Sequence, residues 1–218
     1  VNILPLEEGE RITSMLPVKD YPEDEFVFMA TSNGTVKKTA LTNFSRQRSV
    51  GLRAIELDEG DELVGTAITD GSKDVMLISS SGKTIRFNEG DVRAMGRTAR
   101  GVRGIKMNDG YQMIALIIPD AAKQILTVCE QGYGKRTLVD DFPVYGRGGQ
   151  GVIGIQTSDR NGPVVGAAQV SESDEIMLIS DKGTLVRTRV TEVSIQGRNT
   201  QGVRLIRLKE GDKLVGLE

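Results

Sequence analysis

The sequence predicts an all-β fold made of stacked, propeller-like blades, and three observations predict it. Four glycines, Gly34, Gly82, Gly132 and Gly183, mark equivalent phrases and step by 48, 50 and 51 residues. A period of this size is the signature of one supersecondary unit laid beside itself. Within each unit the apolar runs are short, partly β-branched and bounded by turn residues, which suits strands rather than helices. Four such strands per repeat is the content of a propeller blade.

The elements follow in order. Each repeat opens on an apolar run: Phe26–Ala30, Val75–Ile78, Ile125–Cys129 and Ile176–Ile179. Runs without polar alternation predict a strand covered on both faces. A turn ends in the marker glycine, and a second strand follows at Thr35–Thr39, Lys83–Phe87, Tyr133–Thr137 and Thr184–Arg189. Four residues after the glycine stands a cation: Lys38, Arg86, Arg136 and Arg187. Side chains alternate across a strand, so a fixed offset places these four on one face of equivalent strands. Ten residues after the glycine comes an apolar anchor for the next loop: Phe44, Val92, Phe142 or Val193.

The loop itself reads Gly-Arg-x-x-x-Gly at Gly96–Gly101, Gly146–Gly151 and Gly197–Gly202; the first repeat carries the shorter Arg46-Gln47-Arg48-Ser49-Val50-Gly51. A third strand is expected at Leu52–Leu57, Val102–Met107, Val152–Thr157 and Val203–Leu208. An acidic hairpin such as Asp58-Glu59-Gly60-Asp61 leads to a fourth strand, at Leu63–Ile68, Met113–Ile118, Val164–Val170 and from Leu214 onward. Glycine accepts the positive φ such a tight turn needs. The expected blades are therefore residues 15–65, 66–115, 116–166 and 167–218. Residues 1–14, with Leu6-Glu7-Glu8-Gly9, read as the tail of a preceding blade, about four complete blades and a partial one in all.

Composition excludes several functions. The 218 residues contain no histidine, which removes the commonest general base and metal ligand. The single cysteine, Cys129, ends an apolar run, so it reads as core rather than nucleophile. Gly146–Gly151 lacks the Gly-Lys-Ser/Thr ending of a phosphate-cradling nucleotide loop. No catalytic, metal or cofactor site is expected. Nothing apolar is long enough to span a membrane, and a lone cysteine fits a reducing cytoplasm. The tyrosines at 21, 111, 133 and 145 read as packing or surface residues.

Charge carries the functional signal. The net charge is −2, yet the four windows 34–56, 82–106, 132–156 and 183–207 hold 20 of the 28 Lys/Arg and 6 of the 30 Asp/Glu. Local field, not total charge, steers a polyanion. One reading is that these cations balance the acidic hairpins on a solvated surface. The sharper reading is a basic band that contacts nucleic-acid phosphates without base specificity. Aromatic residues are 4% of the chain, too few for a single-strand stacking platform. A curved band suits bent duplex DNA instead. The candidate contacts are Lys37, Lys38, Arg46 and Arg48 in the first repeat, and Lys83, Arg86, Arg97 and Arg100 in the second. Lys135, Arg136, Arg147 and Gln150 follow in the third, and Arg187, Arg189 and Arg198 in the fourth. Arg204 and Arg207 rank lower, since strand alternation sets them on opposite faces.

The segments Val27-Phe28-Met29-Ala30-Thr31-Ser32-Asn33-Gly34, Val92–Lys106, Gly132–Thr137 and Leu185–Val203 closely resemble the C-terminal domain of the bacterial DNA gyrase A subunit; the resemblance covers the whole chain. It implies a β-pinwheel, a propeller-like fold whose neighbouring blades exchange strands. It implies duplex DNA wrapped on a basic rim, so that the parent topoisomerase introduces negative supercoils with ATP. It also implies two partners in an A2B2 assembly, the remainder of gyrase A and the whole of gyrase B, with catalytic groups outside this chain. That family carries a Gln-Arg/Lys-Arg-Gly-Gly-Arg/Lys-Gly box in its first blade. Here the nearest segment, Tyr145–Gly151, keeps Arg147, Gly148, Gly149 and Gly151. The first blade and most of the second are expected to be absent, with binding but incomplete wrapping. An alternative is a protein-interaction scaffold of a topoisomerase, including the topoisomerase IV type, with weak DNA binding.

Overall fold

The computed structural model describes residues 4–218; the first three residues of the expected 1–14 tail lie outside the described residues. Fifteen strands and four single 3-10 turns make up the regular structure of those residues, with no α-helix among them. The first repeat contributes β1 (Phe26–Thr31), β2 (Thr35–Ala40) and β3 (Leu63–Thr69). The second contributes β4 (Asp74–Ser79), β5 (Lys83–Asn88), β6 (Val102–Arg103) and β7 (Met113–Ile117). The third contributes β8 (Gln124–Cys129), β9 (Tyr133–Leu138), β10 (Val152–Ile153) and β11 (Val164–Val170). The fourth contributes β12 (Glu175–Ser180), β13 (Leu185–Arg189), β14 (Val203–Arg204) and β15 (Leu214–Leu217).

The sheets do not coincide with the repeats. Their strand orders are β3-β1-β2-β6, β7-β4-β5-β10 and β11-β8-β9-β14, and the last sheet, β15-β12-β13, has three strands. In every four-stranded sheet the outer strand comes from the following repeat. The expected third strand is therefore donated, and it is two residues long rather than six: Thr35 pairs Arg103, Lys83 pairs Ile153, and Tyr133 pairs Arg204. Pairing ends there because the chain must turn toward its hairpin. Residues 52–57 form no strand, since no preceding second strand lies beside them among the described residues. Residues 4–24 form none either; their ties to the first sheet include Ser14 Oγ to Thr66 Oγ1 at 2.6 Å.

Three apolar clusters fill the space between successive sheets. Phe28 and Val36 meet Leu77 and Phe87; Met76 and Ile78 meet Ile125 and Phe142; Leu126 and Val128 meet Leu178 and Val193. The central strands β4 and β8 are buried along nearly their whole length, as uninterrupted apolar runs should be. In β12 and β13 the same repeat shows alternating exposure instead. One face of the last sheet has no sheet over it. The loop anchors Val92, Phe142 and Val193 are buried, and Phe44 is half-buried.

The second glycine of each loop is where sterics decide the sequence. Gly101, Gly151 and Gly202 have φ of +105°, +72° and +77°. A Cβ on them would also overlap the carbonyl oxygens of Val36, Thr84 and Gly134 on the preceding repeat's second strand. Both constraints exclude a side chain.

Candidate nucleic-acid interface

The cations of the basic windows separate into a buried set and a surface set. The strand cations at the fourth position after the marker glycine do occupy one equivalent position. Lys38, Arg86 and Arg136 each form a parallel bridge to the next repeat, with Ala94, Val144 and Ile195. They point not to the rim but into the joint between sheets. Lys38 Nζ donates to the Glu89 carbonyl at 3.0 Å and lies 3.8 Å from the buried Glu89 carboxylate. Arg86 Nη1 donates to the carbonyls of Val139 and Phe142 at 3.1 and 3.2 Å, and Nη2 pairs Asp74 at 2.9 Å. Arg136 Nε donates to the Val193 carbonyl at 2.7 Å, and Nη1 pairs Glu172 at 2.6 Å. A charge in such a joint is tolerable when its N–H groups find acceptors.

This corrects the expectation that Lys38, Arg86 and Arg136 line the rim. Lys37 and Lys135 join the correction, being fully buried. The physical reason is that β2, β5 and β9 are inner strands of their sheets; β5 and β9 have a sheet on each face, and β2 has a sheet on one face while Lys37 is closed over by the segments that carry Ala54 and Arg97. Strand alternation then separates two buried directions instead of an inside from an outside. Arg187, the fourth member, is exposed and pairs Glu175 of its own sheet, because no repeat covers it among the described residues. Arg189 is exposed at the same open side.

The loop cations form the surface set. Arg97 Nη1 donates to the Arg53 carbonyl at 3.4 Å, Arg147 Nη1 to the Arg103 carbonyl at 3.0 Å, and Arg198 Nη1 to the Ile153 carbonyl at 3.0 Å. These are one interaction repeated three times, from the Gly-Arg loop of one repeat to the third-strand segment of the repeat before. Each guanidinium is thereby held in place with donors to spare. Arg46 and Arg48 are exposed on the shorter first loop. Arg100 is exposed but pairs Asp58 at 2.9 Å and Glu56 at 3.3 Å. Lys83 donates to the Gln150 side-chain oxygen at 2.7 Å, which brings those two expected residues together.

A second row of cations was underrated or missed. Arg53, Arg103 and Arg204 each stand two residues after the second glycine and are exposed. At the third equivalent position Ile153 replaces arginine, and its strand partner Lys83 supplies the cation. Every donated-strand pair thus carries one cation at the same register. The Gly-Val/Leu-Arg phrase, recurring at a constant offset, was the available signal. Arg204 and Arg207 are both exposed rather than on opposite faces, since the strand stops at Arg204 and alternation stops with it.

Tyr133 ties this row together. Arg160 lies over its ring at 4.5 Å from the centroid and Arg204 at 5.3 Å, and Arg204 Nη2 donates to its hydroxyl at 2.7 Å. Hydrogen bonds from Arg160 and Arg204 hold the phenol below the usual tyrosine value. The cleft of about 490 Å³ beside it is lined by Tyr133, Arg160, Arg204, Leu205, Ile206 and Arg207. Its arginines have no carboxylate within pairing distance among the described residues. Such a cleft suits an anion.

Cys129 is buried, and burial pushes its thiol up to about 12. No cluster of potential metal ligands occurs among the described residues. No helix among them is long and apolar enough to cross a membrane.

Comparison with known proteins agrees with this architecture. A family model described as "DNA gyrase C-terminal domain, beta-propeller" matches residues 25–70, 73–120, 123–171 and 174–218. Over its full length the chain is 59% identical to the DNA gyrase A protein of Salmonella typhimurium and 55% to that of Escherichia coli K12, covering 25% of each. It thus spans about a quarter of the length of these curated relatives. Among solved structures, "Structure of DNA gyrase A C-terminal domain" superimposes with a TM-score of 0.84 at 29% identity, over 98% of this chain and 72% of the other. "Crystal structure of the C-terminal domain of DNA topoisomerase IV" superimposes at 0.92 with 25% identity, over 100% and 68%. With its four stretches matched one after another and its sheets built from neighbouring repeats, the chain belongs to the DNA gyrase C-terminal domain family of β-propellers.

Proposed function

We propose that the chain is a non-catalytic module that binds and bends duplex DNA for a gyrase-type topoisomerase. One observation carries the reading: Arg97, Arg147 and Arg198 are held at equivalent places by the repeat before each, beside a second row formed by Arg103, Lys83 and Arg204. A cation row with repeat spacing along stacked sheets matches a phosphate backbone, which offers charge at regular intervals and no sequence information. A row that follows the curve of a propeller-type stack would favour a bent duplex, whose deformation is offset by the extra contacts. The contacts proposed are Arg46, Arg48, Lys83, Arg97, Arg100, Arg147, Gln150 and Arg198, extended by Arg53, Arg103, Arg160 and Arg204. Arg187 and Arg189 extend the row only if the duplex continues past the last sheet.

The rest of gyrase A, together with gyrase B, supplies strand passage and ATP hydrolysis in the bacterial cytoplasm, and this chain needs no cofactor. The blade limits 15–65, 66–115, 116–166 and 167–218 remain part of this proposal. Whether the duplex is wrapped with fixed handedness is read by relaxing closed circular DNA in the chain's presence. A change in linking number supports chiral wrapping; none means bending without wrapping. Binding itself is tested by filter retention of a duplex across salt. Affinity that falls steeply with salt and varies little with sequence is expected, and salt-independent retention would overturn the proposal. The open β13 edge favours a second role, docking onto another part of the enzyme, because an unpaired strand edge accepts a partner strand.

A further inference from the structure

Two lysines stand three residues after a marker glycine, Lys37 and Lys135, and both are fully buried. Neither has a carboxylate within pairing distance among the described residues. A buried ammonium is costly unless each N–H finds an acceptor. Lys37 Nζ donates to the Arg97 carbonyl at 2.5 Å and the Ala54 carbonyl at 2.7 Å. Lys135 Nζ donates to the carbonyls of Gly197 and Arg198, both at 2.6 Å, and to Thr200 Oγ1 at 2.9 Å. The acceptors lie almost entirely on the next repeat's Gly-Arg loop. The acceptors include the carbonyls of Arg97 and Arg198 themselves, so each lysine fixes the backbone from which a half-buried loop arginine extends.

The second repeat supplies the internal comparison. Ile85 occupies the lysine position, and its facing loop, Gly146–Gly151, is richer in glycine. That loop is tied by its own backbone instead, through Gly148 N–H to the Gly104 carbonyl at 2.7 Å, with Gly148 at φ +85°.

We propose that Lys37 and Lys135 are positioning residues of the DNA interface, buried ammoniums that hold the Gly96–Gly101 and Gly197–Gly202 loops in the conformation presenting Arg97 and Arg198. The proposal rests on the reading of those loops as phosphate contacts. It explains why fully buried cations persist in windows otherwise suited to a surface.

The arrangement is sensitive to pH. Burial lowers both amines to about 8; the Arg97 guanidinium adds to this at Lys37, and Arg198 does so at Lys135, where Asp141 acts the other way. Cys129 stays a thiol in this range, and the chain has no histidine. A neutral amine keeps two N–H donors but loses its charge, so its bonds to the loop carbonyls lose their charge assistance and the loop is held less firmly above about pH 8. Duplex affinity therefore falls as pH rises through about 8. Global stability moves the other way. The unfolded lysine binds its proton up to 10.5 and the folded one only to about 8, so between these values the unfolded state binds more protons and stability rises with pH.

The test is duplex affinity at fixed salt from pH 7 to 9, for the chain and for Lys37→Met with Lys135→Met, with chemical denaturation alongside. A decline of about tenfold in the chain, and a weaker, flat profile in the double variant, are expected. Should the variant not fold, lysine Cε resonances of the unaltered chain decide: two should titrate near 8, with the Ala99 and Thr200 amides shifting at the same midpoint. Loop amides that ignore that titration, or a double variant that binds like the unaltered chain, would overturn the proposal. Co-titrating loop amides in a chain that binds no duplex would sink the DNA reading while leaving the loop-holding role intact.

Discussion

Arg147 donates from Nη1 to the Arg103 carbonyl at 3.0 Å, across the boundary between two repeats. The bond ties a surface cation to the strand that follows the equivalent loop one repeat earlier. It sets the spacing of the arginine row by backbone geometry. Charge reversal at Arg97, Arg147 and Arg198 together should weaken duplex binding uniformly across sequences. The log–log salt slope should drop by about 3, near one for each phosphate no longer neutralised. A filter-binding titration at several salt concentrations reads both. An unchanged slope would remove the loops from the interface.

Arg136 and Arg187 occupy the same repeat position in opposite environments. Removing Arg136 strips a buried joint of its donor to the Val193 carbonyl, and Arg136→Ala should cost about 3 kcal/mol. Arg187 has a side chain 69% exposed, so Arg187→Ala should cost less than about 1 kcal/mol. Urea denaturation of the two variants compares them directly. Equal costs would mean the last sheet is covered in solution.

Gly101, Gly151 and Gly202 combine positive φ with a carbonyl oxygen where Cβ would stand. Alanine at any of them should destabilise by about 2–4 kcal/mol, combining backbone strain with displacement of the donated strand. Gly96→Ala is the control, because open space surrounds that position. Thermal melts that shift equally for Gly96 and Gly101 would show that the donated strand is not tightly seated.

The arginines around Tyr133 form an unneutralised cluster on the surface row. Arg160→Glu with Arg204→Glu should reduce duplex affinity by about tenfold while leaving the core intact. Tyr133→Phe keeps the ring and loses the hydroxyl, and its effect should be smaller. Competition with inorganic phosphate would separate a phosphate site from general field strength.

The Cys129 thiol, pushed up to about 12, should resist aromatic disulfide reagents in the folded chain at pH 8. It should react fully in denaturant. Modification at equal rates in both conditions would mean β8 opens readily.

Much of this architecture was legible in the residues. The marker glycines, the apolar runs and the hairpin turns located the first, second and fourth strands to within a residue or two, because local sterics and burial act on neighbouring residues. The sheet to which a strand belongs was legible only through the family resemblance, which implied strand exchange between neighbouring blades, and not from the pattern of the residues themselves. Val102 and Arg103 look like continuing strand, yet they pair only with Thr35 and Val36 of the repeat before. Pairing partners are chosen by long-range geometry that leaves no periodic mark. The same limit governed the site. Charge segregation pointed to windows that fold into the joints and loops between repeats, and the fixed offset of Lys38, Arg86 and Arg136 announced positions that are equivalent in the structure. It could not say that an inner strand between stacked sheets has no outward face.

The sequence by itself therefore determined a repeat of β-strands and a set of cations recurring at constant offsets, because turn sterics and hydrophobic runs are local. The tertiary structure alone decided which cations became joints, which became loop supports and which became surface. That choice depends on the neighbouring repeat: a cation covered by the next sheet must satisfy its donors inside, as Arg136 does. One beyond the last sheet keeps its charge in water, as Arg187 does.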